Sequence, residues 1–339
     1  MKVEIRPLDV ADPADVEAAL GIYNRAVVQD VPDLPVATKQ QFEGELHHPW
    51  PGIHYDRWLA YLDGVAAGVL KIARPTLDNL HAADVDVVVD PAYRRRGIGR
   101  ALYDFAVEFC RANERRTLQG AYVVALPGGP SRSDGHRVFA EKMGVKSALP
   151  EVRRRLDVTS ADRSEWSALI AEARQRAAGY SVVAWTDAVP EEIVADLAAL
   201  DSRFFAEAPL GDLDLEPQNV DVTRVRAGEE THHNRGNRNY HVAARHDETG
   251  ALAAWTHICF EAGRVEHAWQ EITIVDRAHR GHRLGMLVKM ENLLRTLEAE
   301  PDLRYLDTWN AAENTHMIAI NEAMGYRPVD GWVNWQSVI

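Results

Sequence analysis

Apolar and polar residues alternate over positions 2–9, the period of a strand with one buried face, and a helical period takes over from Ala11 to Asp30. Residues 57–73 alternate again on both sides of Asp63-Gly64, a dipeptide suited to a two-residue hairpin turn. The β-branched run Asp84–Val89 predicts a further strand. It is followed by a helix from Gly97 to about Asn113, whose apolar residues Ile98, Leu102, Phe105 and Phe109 fall on one stripe. Leu118–Leu126 reads as a strand, 128–135 as Gly- and Ser-rich punctuation, and a short helix stops near Gly144 before a strand over Val152–Val158.

The same order then returns. After a helical stretch, Asp162–Ala178, the pattern predicts a strand at Tyr180–Trp185, a helix over Pro190–Phe205, and a hairpin from Tyr240–His246 and Ala251–Phe260. A strand follows at His267–Val275, then a helix over Leu284–Leu297, a strand at Tyr305–Trp309 and a helix over Asn314–Met324. Placing Val89 on Val275 aligns strand, turn and helix without a gap, which argues for an internal duplication. The sequence therefore predicts an α+β/α protein of two tandem domains, 1–159 and 180–339, joined by a helical linker, 160–179. Each domain is expected to hold a mixed, mostly antiparallel sheet flanked by helices.

Composition narrows the function classes. Asp and Glu number 51 against 38 Lys and Arg, a formal charge of −13, with no basic stripe interleaved with aromatics. Such a chain repels a phosphate backbone and attracts small cations, so nucleic acid is not an expected partner. The two cysteines, Cys110 and Cys259, lie far apart in apolar segments and read as buried thiols. Neither a signal-peptide core nor an apolar run of about 20 residues occurs, so the expectation is a cytoplasmic protein with no membrane contact, monomeric or homodimeric. His47, His48 and His54 lack companion ligands in a metal-binding spacing, and no metal is expected.

The chemistry is concentrated in Asp86-Val87-Val88-Val89-Asp90-Pro91-Ala92-Tyr93-Arg94-Arg95-Arg96-Gly97-Ile98-Gly99-Arg100. A strand enters a Gly-containing turn from which an amphipathic helix starts. Unpaired N–H groups and the helix dipole make such a place an anion site. The stretch resembles motif A, Arg/Gln-x-x-Gly-x-Gly/Ala, of the GNAT N-acetyltransferase superfamily. That resemblance implies acetyl-CoA, with its pantetheine arm along Val87, Val88 and Val89 and its pyrophosphate on the Arg94–Arg100 loop (Arg94, Arg95, Arg96, Gly97, Ile98, Gly99, Arg100).

In the second half, Thr273, Ile274 and Val275 precede a variant loop, Arg280-Gly281-His282-Arg283-Leu284-Gly285-Met286, in which Arg283 replaces the first motif glycine. Downstream, Asn310-x-x-x-Asn314 through Met324-Gly325-Tyr326 is similar to motif B, which implies that Asn314 touches the CoA arm. The first half keeps only a remnant, Phe139–Gly144. The tyrosine that often protonates the thiolate in the family is replaced by Ala140 and Asn321. Glu271 and Thr273 stand where the first half has Val85 and Val87, so a carboxylate on the pantetheine side is expected only in the second half. Glu271 is accordingly the candidate base, so the second half is expected to be catalytic and the first a structural or regulatory CoA-binding fold. The acidic loop 206–217, with Asp212, Asp214 and Glu216, is the candidate binding surface for a cationic amine. The resemblance implies an N-acetyltransferase acting on a small amine; the alternative is a catalytically silent acyl-CoA sensor.

Overall fold

The alternations and helical periods correspond to regular elements in a computed structural model, which describes residues 2–204 and 208–339. Phe205 and Ala206, where one expected helix ends and the acidic loop begins, lie outside them. Contacts divide the chain into two units. The first is Met1–Glu151 with Leu210–Glu216 and Asp330–Ile339; the second is Val152–Pro209 with Pro217–Val329.

The first unit contains β1 (Val3–Pro7), α1 (Pro13–Asp30), α2 (Lys39–His47), β2 (Ile53–Leu62), β3 (Val65–Pro75), β4 (Ala82–Val89), α3 (Ile98–Ala112), β5 (Thr117–Ala125) and α4 (Gly135–Met143). Helix α1 starts where the Asp12 carboxylate accepts the Ala14 N–H and Pro13 occupies the first turn, where its missing N–H costs nothing. Helix α2 was not foreseen; Thr38 caps it by accepting the Gln41 N–H at 3.1 Å. Asp63 and Gly64, both at positive φ, make the β2–β3 turn as the sequence suggests.

Strands β1 to β4 pair antiparallel in order. Strand β5 then runs parallel to β4 only across Ala82–Asp84 and Thr117–Gln119, after which the two diverge into a fork. On its other edge β5 pairs with the last strand, β12 (Arg327–Val338), from Thr117↔Val338 to Ala125↔Asp330. One face packs α3 against Leu70, Ile72 and Val85; the other packs α1 and α2 against Leu59 and Val69.

The second unit takes the end of β6 (Lys146–Asp157), then α5 (Arg163–Arg176), β7 (Tyr180–Thr186), α6 (Val194–Asp201), α7 (Val222–Arg235), β8 (Arg238–His246), β9 (Leu252–Phe260), β10 (His267–Val275), α8 (Leu284–Ala299), β11 (Tyr305–Ala311) and α9 (Thr315–Met324). Its strands lie in the order β6-β11-β10-β9-β8-β7. The division differs from a cut near residue 160. The stretch read as a linker holds α5, whose Trp166, Ile170 and Ala173 are buried in the core of this unit, with the Trp166 indole donating to the Met324 carbonyl at 2.9 Å. Its apolar stripe fits a packed helix better than a solvated tether. A buried ionic cluster closes the sheet: Asp307 accepts from Arg153 at 3.0 Å and from Arg155 at 2.7 Å, with His267 at 3.2 Å. Both cysteines are free and buried.

Candidate functional site

In the first unit β4 ends at Val89, and Asp90 caps a short turn by accepting the Ala92 N–H at 3.0 Å. Arg95 and Gly97 then take left-handed conformations, φ +63° and +89°, and α3 begins. The N–H of Ala101 bonds back to the Gly97 carbonyl at 3.0 Å. The N–H groups of Ile98, Gly99 and Arg100 precede that point, so none has an acceptor inside the helix. A Cβ on Gly99 would lie 3.1 Å from the Phe139 ring and 3.6 Å from Val89, so the residue must be small for helix and strand to meet. Arg94 is a brace: its guanidinium forks onto Asp30 at 2.7 and 2.6 Å while its Nε holds the Val89 carbonyl at 3.1 Å. With Arg94 and His136 beside it, the Asp30 carboxyl stays at about 2 despite desolvation.

A cavity of about 910 Å³ opens from this loop and passes through the β4–β5 fork. Val87, Val88, Val89, Arg94, Arg95, Gly97, Ile98, Gly99 and Arg100 line it, whereas Arg96 is not among its walls and lies over the Tyr93 ring at 5.3 Å. Phe139, Tyr103 and Trp335 form a consecutive aromatic wall, Tyr103 being 6.5 Å from the first ring and 6.3 Å from the last. At the fork only glycine fits: a Cβ on Gly120 would stand 2.5 Å from Trp335 Cζ2 and 2.7 Å from the Val85 carbonyl oxygen.

Beyond the fork the wall changes character, with Tyr23, Lys71, Asp84 and Asp86. β4 pairs with β3 without interruption from Asp84 to Val89, so Asp84, Asp86 and Val88 share the face that packs on α1. The Tyr23 hydroxyl donates to Asp86 at 3.3 Å, and Lys71 Nζ lies 3.6 Å from the same carboxylate. Asp84 is accessible from the cavity yet enclosed by protein; desolvation pushes its carboxyl up, and Lys71 draws it partly back. The alternation that puts Val85 and Val87 on the pantetheine side leaves these two aspartates on the opposite face, which the register supports, and they were not among the expected site residues. Aspartate is disfavoured inside strands, and two in one β-branched run were the available signal.

The second unit keeps the loop backbone with its residues interchanged. Gly281 has φ +90° and Arg283 φ +58°, the conformations of Arg95 and Gly97. Leu287 is the first to bond back, to the Arg283 carbonyl at 3.0 Å, which leaves the N–H groups of Leu284, Gly285 and Met286 without intrahelical acceptors. Gly285 faces Ile320 and Val275 as Gly99 faces Phe139 and Val89. The Arg283 guanidinium donates to Glu172 at 2.7 Å. Asn314 caps α9, accepting the Met317 N–H at 3.2 Å. Asn321 is buried and donates to Asn310 at 2.6 Å; its own Oδ1 has no partner among the described residues.

Strand β10 carries a bulge that the gap-free alignment hides. Gln270 faces Ile258 and Thr273 faces Thr256, which leaves Glu271 and Ile272 together opposite His257. The alternation expected to put Glu271 and Thr273 on one face is therefore broken. Thr273 bonds Thr256 at 2.8 Å, whereas Glu271 ends a cross-strand row of Trp185, His241 and His257. The rings stack at 5.2 Å and then 4.2 Å, and burial holds His241 neutral down to about 3. Glu271 is itself accessible but desolvated, and with Glu261 adding repulsion its carboxyl is pushed up to about 7.

The acidic loop lies elsewhere than expected. Leu210–Glu216 belongs to the first unit, where the Asp212 N–H donates to the Ala148 carbonyl, the Asp214 carbonyl meets His81 at 3.2 Å, and the Glu216 backbone N–H and carbonyl bond the Asn79 side-chain amide at 2.6 and 3.1 Å. The cavity walls are drawn from other residues.

The Acetyltransferase (GNAT) family model matches residues 21–127. A tandem GNAT protein from the clavulanic acid biosynthesis pathway, solved without AcCoA, is 32% identical, with a TM-score of 0.83 over 99% of this chain and 98% of that one. A GCN5-related N-acetyltransferase from Sphaerobacter thermophilus shares the fold at 15% identity, with a TM-score of 0.67 over 99% of this chain and 95% of that one. No curated protein matches.

Proposed function

This chain belongs to the GNAT acetyltransferase family, with two such folds in tandem, and on that premise we propose that it acetylates a small amine in the cavity of its first unit, with Asp84 as the base. The observation that carries this reading is one continuous cavity, from a helix start with free N–H groups to a desolvated carboxyl.

The residues present fit acetyl-CoA. The N–H groups of Ile98, Gly99 and Arg100 would hold its pyrophosphate, and the aromatic wall would flank its pantetheine arm. Bound there, it supplies an acyl carbon with a thiolate leaving group. Asp84 takes the proton that the attacking amine must lose, and its raised pKa makes it a stronger base than an ordinary aspartate. Tyr23 and Lys71 fix Asp86 beside it. The first unit places Ala140 where the family often has its acid, and the thiolate leaves unassisted because a thiol is already acidic, at about 8.5.

A second reading puts transfer in the second unit with Glu271 as base. The bulge favours it, since the extra residue re-aims a carboxyl with a pKa of about 7 on the strand that leads into the second loop.

Acetyl-CoA titration and turnover of an amine panel by wild type, Asp84→Asn and Glu271→Gln separate the readings. Loss of turnover in Asp84→Asn alone, with donor affinity kept, supports the first unit; loss in Glu271→Gln alone moves the chemistry to the second. Donor binding without turnover of any amine leaves an acyl-CoA sensor.

A further inference from the structure

Besides helping to fix Asp86, Lys71 has binding capacity to spare. On β3 it stands directly opposite Asp86 on one side and directly opposite Arg57 on β2 on the other. Two cations facing each other across neighbouring strands repel, a cost the fold accepts at this position. Asp86 only partly offsets it, because the Lys71–Asp86 separation of 3.6 Å is longer than a hydrogen bond and Asp86 also accepts from Tyr23. An ammonium has three donors, and the Lys71 side chain keeps 33% of its surface accessible, at the wall of the cavity. Asp84 lies on the same face, two residues before Asp86.

Resting on the first-unit reading above, we infer that the acceptor carries a carboxylate beside its amine, so that it belongs to the α-amino acid class. Lys71 holds the carboxylate while Asp84 receives the amine proton. A singly charged anion suits this end of the cavity: a dianion would meet Asp84 and Asp86 as well as the single lysine, whereas a carboxylate leaves the aspartates to the ammonium. An ammonium–carboxylate bond in an enclosed site is of the stronger, charge-assisted kind, so it should dominate selection between acceptors of equal size.

The test uses the full chain saturated with CoA and matched pairs as probes: lysine with cadaverine, arginine with agmatine, tyrosine with tyramine. Equilibrium titration should favour the carboxylated member of at least one pair by about tenfold or more. Lys71→Gln should erase that preference while leaving CoA affinity unchanged, and Lys71→Arg should keep most of it. Equal or tighter binding of the decarboxylated members overturns the inference, as does a preference that survives Lys71→Gln. Failure of every probe to bind protein that does bind CoA also overturns it. Failure of CoA itself to bind removes the underlying reading, and the two failures are told apart in the first titration.

Discussion

The fork between β4 and β5 can be tested with one methyl group. In Gly120→Ala the new Cβ would lie 2.5 Å from Trp335 Cζ2, 2.8 Å from Cε2 and 2.7 Å from the Val85 carbonyl oxygen. The indole can turn away in part; the carbonyl belongs to the strand that forms the other arm of the fork. Overpacking of this kind costs about 1–3 kcal/mol. Against it stands the gain of about 0.5–1 kcal/mol from replacing glycine inside a strand. The net change should therefore be a loss of up to about 2.5 kcal/mol. A fork pushed out of shape should also weaken acetyl-CoA binding by about 3- to 30-fold if the same strain must be relieved in the complex. Urea unfolding and calorimetric titration of the donor measure the two effects. Trp335→Phe removes both indole atoms from the clash but not the carbonyl, so the double variant should recover part of the loss, with a coupling of about 0.5 kcal/mol or more. An unchanged unfolding midpoint and donor affinity in Gly120→Ala, or strictly additive single effects, would refute the packing argument.

Three further outcomes are expected. In wild type, the acid limb of the rate profile should sit above the range of an ordinary aspartate, because Asp84 acts unprotonated and its carboxyl is raised; Asp84→Asn should lose the limb together with the activity. Glu271 binds a proton more readily folded than unfolded between its ordinary 4.5 and about 7, so its ionisation lowers stability as pH rises through that window. Glu271→Gln should consequently unfold at higher urea than wild type at pH 8 but match it at pH 4. Asp307→Asn removes the carboxylate charge that pairs with buried Arg153 and half-buried Arg155 and should cost about 3–5 kcal/mol in the unfolding of the second unit.

What the sequence disclosed was local. The motif at Arg94–Arg100, the hairpin at Asp63-Gly64 and the helix stripes depend on neighbours a few residues apart, and all recur in the structure. Arg283 looked like a defect because a glycine was missing, yet the loop needs two left-handed residues rather than one glycine at a set place. Each unit fills the pair with one Gly and one Arg in opposite order. The bulge at Glu271 was invisible because it is a property of pairing with β9, and a one-residue insertion there reverses the side-chain faces on which the alignment argument relied. The placement of Leu210–Glu216 and of the last strand depends on pairings distant in sequence, which periodicity does not encode.

The pairing of Thr117–Ala125 with Asp330–Val338 also bears on how the molecule is made. The ribosome delivers β5 long before β12, on the order of ten seconds or more at about 5–20 residues per second. Throughout that interval the growing chain holds an unpaired strand edge and lacks the Trp335 side of its cavity wall. The unit whose residues emerge first is thus completed last, after most of the second has been synthesised. A message truncated anywhere between the codons for 100 and 330 would encode the whole phosphate loop and still fail to build the site that the loop serves.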